Sequence, residues 1–178
     1  NLINDIVKTR EFADPQELRD FLYDSQRGRG YFTGYWLDAL ACIDIAIWDS
    51  IGKRAGLPVS ALFGRDVRKE IPIYLSGIRK ATIDERIERA KEGLDTGCTG
   101  IKIFLDGNID SGTKELENLK SGVPGIESWM VDTLWTLKKE NASIAKARFG
   151  ELGVAFLECP LPPEDLQSHR ELWLKPGA

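Results

Sequence analysis

From residue 71 onward, short apolar runs alternate with longer segments in which apolar residues recur every three or four positions. The short runs predict buried β-strands, because a few consecutive apolar residues closed by a turn signal are typical of strands. These strands cover residues 71–77, 100–105, 129–132 and 154–157. The helical spacing predicts helices over residues 82–97, 113–120, 140–152 and 164–173. Such an alternation indicates an α/β fold with a parallel sheet.

The residues before this alternation are predominantly helical in pattern. Asp14-Pro15-Gln16-Glu17 begins one helix, with Asp at the N-cap and Pro at the first helical position. Residues 35–53 form a longer helix whose apolar residues spread over several faces, so we expect it to be buried on more than one side. A polar junction over residues 67–70 then separates two predicted domains, residues 1–66 and 67–178.

Composition excludes several classes of protein. The chain has 178 residues, 42% of them hydrophobic and 29% charged, with a net charge of −4. No basic run interleaves with aromatic residues, which argues against nucleic-acid binding. No apolar segment approaches the length of a transmembrane helix, so we expect no membrane span. The three scattered cysteines indicate reduced thiols and a cytoplasmic protein.

Two carboxylates carry the main chemical signal. Asp132 closes one apolar run, Glu158 closes the next, and a helical segment separates them. In a parallel pair, both side chains come to the same edge of the sheet, where α/β folds bind ligands. Two carboxylates at that edge are suited to Mg²⁺. On spacing alone, helix N-caps and solvated loop residues remain open as alternatives.

A longer pattern lies in residues 39–53, which read Ala-Leu-Ala-Cys-Ile-Asp-Ile-Ala-Ile-Trp-Asp-Ser-Ile-Gly-Lys. Gly-Leu-Pro-Val at residues 56–59 and Leu-Phe-Gly at residues 62–64 follow it. The stretch resembles the signature helix of the mandelate racemase/muconate lactonizing enzyme family of the enolase superfamily. Where that family places an active-site lysine and two Mg²⁺ ligands, this sequence has Lys102, Asp132 and Glu158.

The resemblance implies a fold and a chemistry. The fold is the first half of a TIM-type (β/α)₈ barrel, preceded by the helical part of an α+β capping domain. The chemistry is removal of the proton α to a carboxylate, with Mg²⁺ stabilising the enediolate. The implied protein is a homo-oligomeric dehydratase of acid sugars, and a racemase, epimerase or cycloisomerase is the alternative within the superfamily.

Three departures from the family pattern qualify that expectation. Phe104 stands where the family often has a second lysine, which favours dehydration, because racemisation needs a base on each face of the carbon. Leu134 stands where many relatives have Asn. The third metal ligand is expected just past Ala178, so we expect these residues to be an internal piece of a longer polypeptide. An inert half-barrel is the competing hypothesis from another class.

Overall fold

The computed structural model describes residue 5, residues 8–64 and residues 68–178. The chain divides into two compact units, Asn1–Lys69 and Glu70–Ala178. The predicted domain boundary between residues 66 and 67 lies outside the described residues.

The first unit is helical where it is described. It contains α1 (Pro15–Arg27), α2 (Tyr35–Ala55) and α3 (Val59–Phe63). Asp14 caps α1 as predicted, because its side chain accepts a hydrogen bond of 2.9 Å from the backbone N–H of Glu17. Leu18 and Leu22 of α1 bury themselves against Leu40 of α2, so this unit has a small apolar core of its own.

The expectation that α2 is buried on more than one side holds only in part for the described chain. Leu40 and Gly52 are its buried residues, whereas Ile45 is 68% exposed. Leu40 lies against α1 and Gly52 lies against Leu57 and Val59, whereas Ala41, Ile45 and Ala46 are exposed.

The second unit repeats a strand followed by a helix. Its elements are β1 (Tyr74–Ser76), α4 (Ile83–Asp95), β2 (Gly100–Phe104), α5 (Ile109–Gly122), β3 (Ser128–Asp132), α6 (Lys139–Glu151), β4 (Val154–Glu158) and α7 (Leu166–Trp173). The strands form one parallel sheet in the order β1-β2-β3-β4. The predicted α/β class is confirmed, since each strand pairs with the next one along the chain.

The two faces of this sheet have different compositions. Ile101, Ile103 and Val131 point to the face that packs on the helices, where Leu116 and Phe149 complete the core. Burying a side chain as large as Phe149 contributes about 2 to 3 kcal/mol. Because side chains alternate along a strand, the residues between them point to the other face. Lys102, Asp132 and Glu158 lie on that second face.

Two elements differ in length from the sequence-based prediction. β1 is limited to Tyr74–Ser76, because the apolar residues before it make no ladder with β2. α5 is longer than residues 113–120, since the side chain of Asn108 caps it by accepting a hydrogen bond from Ser111 N–H at 3.1 Å. α4 begins with a capping box, in which the Thr82 side chain accepts from Glu85 N–H and the Glu85 side chain accepts from Thr82 N–H.

Among the described residues, none of the helices is both long and apolar enough to span a bilayer.

Candidate active site

The carboxyl ends of β2, β3 and β4 bring the three predicted site residues together. Asp132 and Glu158 are paired across neighbouring strands, and Lys102 lies two residues before the end of β2. The Nζ atom of Lys102 lies 2.6 Å from Oε2 of Glu158 and 3.9 Å from Oδ2 of Asp132. One ammonium group and two carboxylates therefore share one cluster at the edge of the sheet.

Lys102 is held in its charged form by this arrangement. Its side chain is only 10% exposed, and burial alone would favour the neutral amine. The hydrogen bond to Glu158 outweighs that effect and raises the pKa of Lys102 above its ordinary value, with the charge of Asp132 acting in the same direction. In this arrangement Lys102 is a charged group that donates to Glu158.

The carboxylate of Asp132 is oriented by the backbone that follows it. The N–H of Leu134 donates to Oδ1 of Asp132 at 2.9 Å, so the other oxygen is the one directed at Lys102. Leu134 achieves this with a φ of 52°, and Trp135 follows with a φ of 58°. Left-handed conformations of residues other than glycine are costly and cluster at functional sites. The loop after β3 therefore adopts a backbone conformation that lowers stability, and this conformation fixes the direction of Asp132.

The loops after β3 and β4 are also bonded to one another. Thr133 N–H donates to the carbonyl of Glu158 at 3.1 Å, and Trp135 N–H donates to the carbonyl of Cys159 at 2.7 Å. The hydroxyl of Thr133 donates to that same Cys159 carbonyl at 3.1 Å. These bonds hold both strand ends in register where the carboxylates emerge, which fixes the spacing of the two side chains.

Cys159 is a neighbour that the sequence interpretation missed. Its thiol and one oxygen each of Asp132 and Glu158 lie within 4.8 Å of one another. Burial raises the pKa of the Cys159 thiol, and the two carboxylates raise it further. The sequence signal for Cys159 was its position directly after Glu158. The backbone of Cys159 is left-handed, with a φ of 50°, and the thiol lies beside the two carboxylates.

The donor set fits a hard divalent cation. Two oxygens that share one Mg²⁺ at about 2.1 Å lie at most about 4.2 Å apart, and water commonly completes the octahedron. One oxygen each of Asp132 and Glu158 lie within 4.8 Å of one another, which is close to that range. The Cys159 thiol stays protonated and is a soft donor, so the carboxylates are the groups that would hold Mg²⁺.

Aromatic rings complete the wall around Lys102. Its Nζ lies 6.0 Å from the ring centre of Tyr74 and 5.6 Å from that of Phe104. Phe104, which stands where the resemblance implies a second lysine, is paired with Asp132 on the neighbouring strand.

The lone histidine lies outside the cluster. Nε2 of His169 on α7 is 3.1 Å from the carbonyls of Leu161 and Pro162, in the loop that follows β4. His169 therefore holds that loop to the start of α7, and its contacts are structural.

Comparison with known proteins adds an independent line of evidence. No family model matches the chain. A D-galactonate dehydratase family member, RspA from Cellvibrio japonicus, is 26% identical over 150 residues, which is 77% of this chain and 36% of that protein. A member of the enolase superfamily from Agrobacterium tumefaciens is 32% identical with a TM-score of 0.84, over 96% of this chain and 45% of its own. The chain is a relative of the enolase superfamily.

The enolase-superfamily relationship extends to a structure that contains metal. A Bradyrhizobium enolase crystallised with magnesium and mandelic acid is 25% identical with a TM-score of 0.75, over 89% of this chain and 44% of its own. The chain thus spans less than half the length of these relatives. The predicted resemblance and the partial TIM-barrel fold are both confirmed.

Proposed function

We propose that the protein is a Mg²⁺-dependent dehydratase of acid sugars, with Asp132 and Glu158 as metal ligands and Lys102 as a catalytic residue. The observation that carries the proposal is the meeting of these three side chains at the carboxyl edge of the sheet. The similarity to a D-galactonate dehydratase family member and to an enolase crystallised with magnesium supports it.

In this proposal Lys102 binds the substrate carboxylate. An ammonium donates strong hydrogen bonds to a carboxylate, and those bonds strengthen as negative charge builds up on its oxygens. A bound Mg²⁺ would supply further charge stabilisation to the same oxygens. In this role Lys102 stays protonated, and a separate base removes the α-proton.

Phe104 favours dehydration over racemisation within this proposal. The ring fills a position where a second amine would provide a base on that face of the carbon. Dehydration needs proton removal on one face and departure of a β-hydroxyl, whereas racemisation needs a proton donor on the opposite face. The alternative is a racemase, epimerase or cycloisomerase, and the experiment has to distinguish these activities from dehydration.

The test uses the native, full-length protein with Mg²⁺ and a panel of acid sugars in deuterated water. Formation of a 2-keto-3-deoxy acid supports dehydration, whereas inversion at C2 with deuterium uptake and no loss of water refutes it. Asp132→Asn and Glu158→Gln should each lower kcat/KM by more than about a hundredfold. They should also weaken Mn²⁺ binding measured by electron paramagnetic resonance.

Glu127→Gln is the matched control for these variants. Glu127 is an exposed carboxylate directly before β3, at the opposite edge of the sheet. It should change neither Mn²⁺ binding nor turnover. Unchanged Mn²⁺ binding in all three variants would refute the assignment of the metal ligands, and absence of turnover in the native protein would favour the inert alternative.

A further inference from the structure

A separate cavity of about 440 Å³ opens beside the candidate active site. Phe104 and Leu134 form the end of the cavity nearest the site. Phe104 is the strand partner of Asp132, and Leu134 is the residue whose N–H orients the Asp132 carboxylate. Adjacent strands lie about 4.8 Å apart, so the cavity begins about one strand spacing from a proposed metal ligand.

Leu105, Ser111 and Gly112 also line this cavity, and the remaining lining residues are charged: Arg79, Lys80, Arg86, Asp106 and Glu115. Three positive and two negative charges leave one net positive charge. Arg86 forms an ion pair with Glu115, and its Nε donates to the carbonyl of Lys80 at 3.0 Å. Oδ1 of Asp106 accepts a hydrogen bond from the N–H of Asn108 at 3.1 Å.

Arg79 and Lys80 are different, because neither forms an ion pair with any residue in the described ranges. The guanidinium carbon of Arg79 instead lies 5.1 Å from the ring centre of Phe104. A guanidinium stacked on a ring keeps its N–H groups free along its edge, and their fork matches the two oxygens of a carboxylate. The ring therefore places an unneutralised cation at the mouth of the cavity.

We propose that this cavity binds a second carboxylate of the substrate, with Arg79 as the bidentate donor and Lys80 as a supporting charge. The substrate class is then an acid sugar with a carboxylate at each end. One net positive charge in the lining matches a carboxylate better than a phosphate dianion. This inference rests on the proposed function, since the first carboxylate has to lie at Lys102.

The orientation of the substrate follows from this arrangement. Lys102 and Arg79 both lie against the Phe104 ring, at 5.6 and 5.1 Å from its centre. A dianion bridging these two cations passes over or beside that ring. Phe104 would then act as an apolar spacer that selects for the length of the chain between the two carboxylates.

The test compares ligands that differ only at the distal carbon, in the native full-length protein with Mg²⁺. D-glucarate and D-gluconate form one such pair, galactarate and galactonate form another, and 6-phosphogluconate carries a phosphate at the same carbon. We expect the native protein to prefer the dicarboxylate in each pair. Arg79→Gln should reduce that preference by about tenfold to a hundredfold, because it removes a charged, bidentate hydrogen-bond donor.

Arg89→Gln is the matched control, since Arg89 is on α4, pairs with Glu92 and does not line the cavity. It should leave the ratio of the two substrates unchanged. A change in ratio below about twofold in Arg79→Gln would overturn the inference, because loss of a charged hydrogen bond costs far more than that. Arg79-dependent preference for 6-phosphogluconate over glucarate would overturn the choice of a carboxylate.

Measuring glucarate binding by calorimetry, separately from turnover, distinguishes a failure of this inference from a failure of the proposed function. Dehydration of gluconate with no dependence of the substrate ratio on Arg79 would refute the second carboxylate site and leave the dehydratase standing. Arg79-dependent binding of glucarate without any dehydration would support the site and refute the dehydratase.

Discussion

A single methyl group added at Gly77 would push against the ring of Phe104, which lies beside Lys102 in the candidate site. Gly77 has a φ of 84°, and a Cβ added there would lie 2.9 Å from Cε2 of Phe104. Gly97 has a similar φ of 90° but nothing within 4 Å of the same added atom. Replacing either glycine with alanine therefore forces an alanine into a left-handed conformation, but only the alanine at position 77 also clashes with another side chain.

We expect Gly97→Ala to destabilise the protein by about 1 to 2 kcal/mol, which is the cost of the left-handed conformation. Gly77→Ala should cost about 1 kcal/mol more, because the Phe104 ring has to shift, and the cavity beside it leaves room for that shift. Urea unfolding of the two variants measures the difference directly, provided that the dependence of the free energy of unfolding on urea is the same in both.

The second readout is functional. Moving the ring shifts the surface on which Arg79 lies, so Gly77→Ala should reduce the preference for glucarate over gluconate while Gly97→Ala leaves it unchanged. Equal destabilisation of the two variants, within about 0.5 kcal/mol, would refute the position of the Phe104 ring. Equal substrate ratios would show that the ring does not position Arg79.

Three further predictions concern the same unit. Leu134→Asn should raise the free energy of unfolding by about 0.5 to 1 kcal/mol, because Asn tolerates the left-handed φ of 52° better, and calorimetry tests it. Thr82→Ala should lower it by about 1 kcal/mol through loss of the Glu85 capping box, and an unchanged melting temperature would contradict this. The hydrogen bond to Glu158 raises the pKa of Lys102 in the folded protein, so this interaction stabilises the fold fully below pH 10.5 and is lost as the pH rises through the higher folded pKa. The difference in free energy of unfolding between the native protein and Lys102→Met should therefore shrink on the alkaline side. A difference that stays constant with pH would refute the ion pair with Glu158.

The features that follow from local sequence were largely predictable. The caps at Asp14 and Thr82 depend on residues three positions away, and the helices and strands depend on periodicity within one segment. The parallel order of the strands follows from the alternation with helices, because a crossover helix returns the chain to the same edge. For that reason the sequence alone assigns Asp132 and Glu158 to one edge of the sheet.

The features that depend on residues far apart in the chain were decided by the tertiary structure. Whether Lys102 is a base or an ammonium depends on its 2.6 Å contact with Glu158, which lies two strands away. The stacking of Arg79 on Phe104 joins the loop after β1 to the end of β2, and no local pattern marks it. The sequence by itself determined which residue types reach the carboxyl edge of the sheet. Only the packing of separate strands and loops decided which atoms meet there, since distance and burial set their charge, their direction and the chemistry proposed for them.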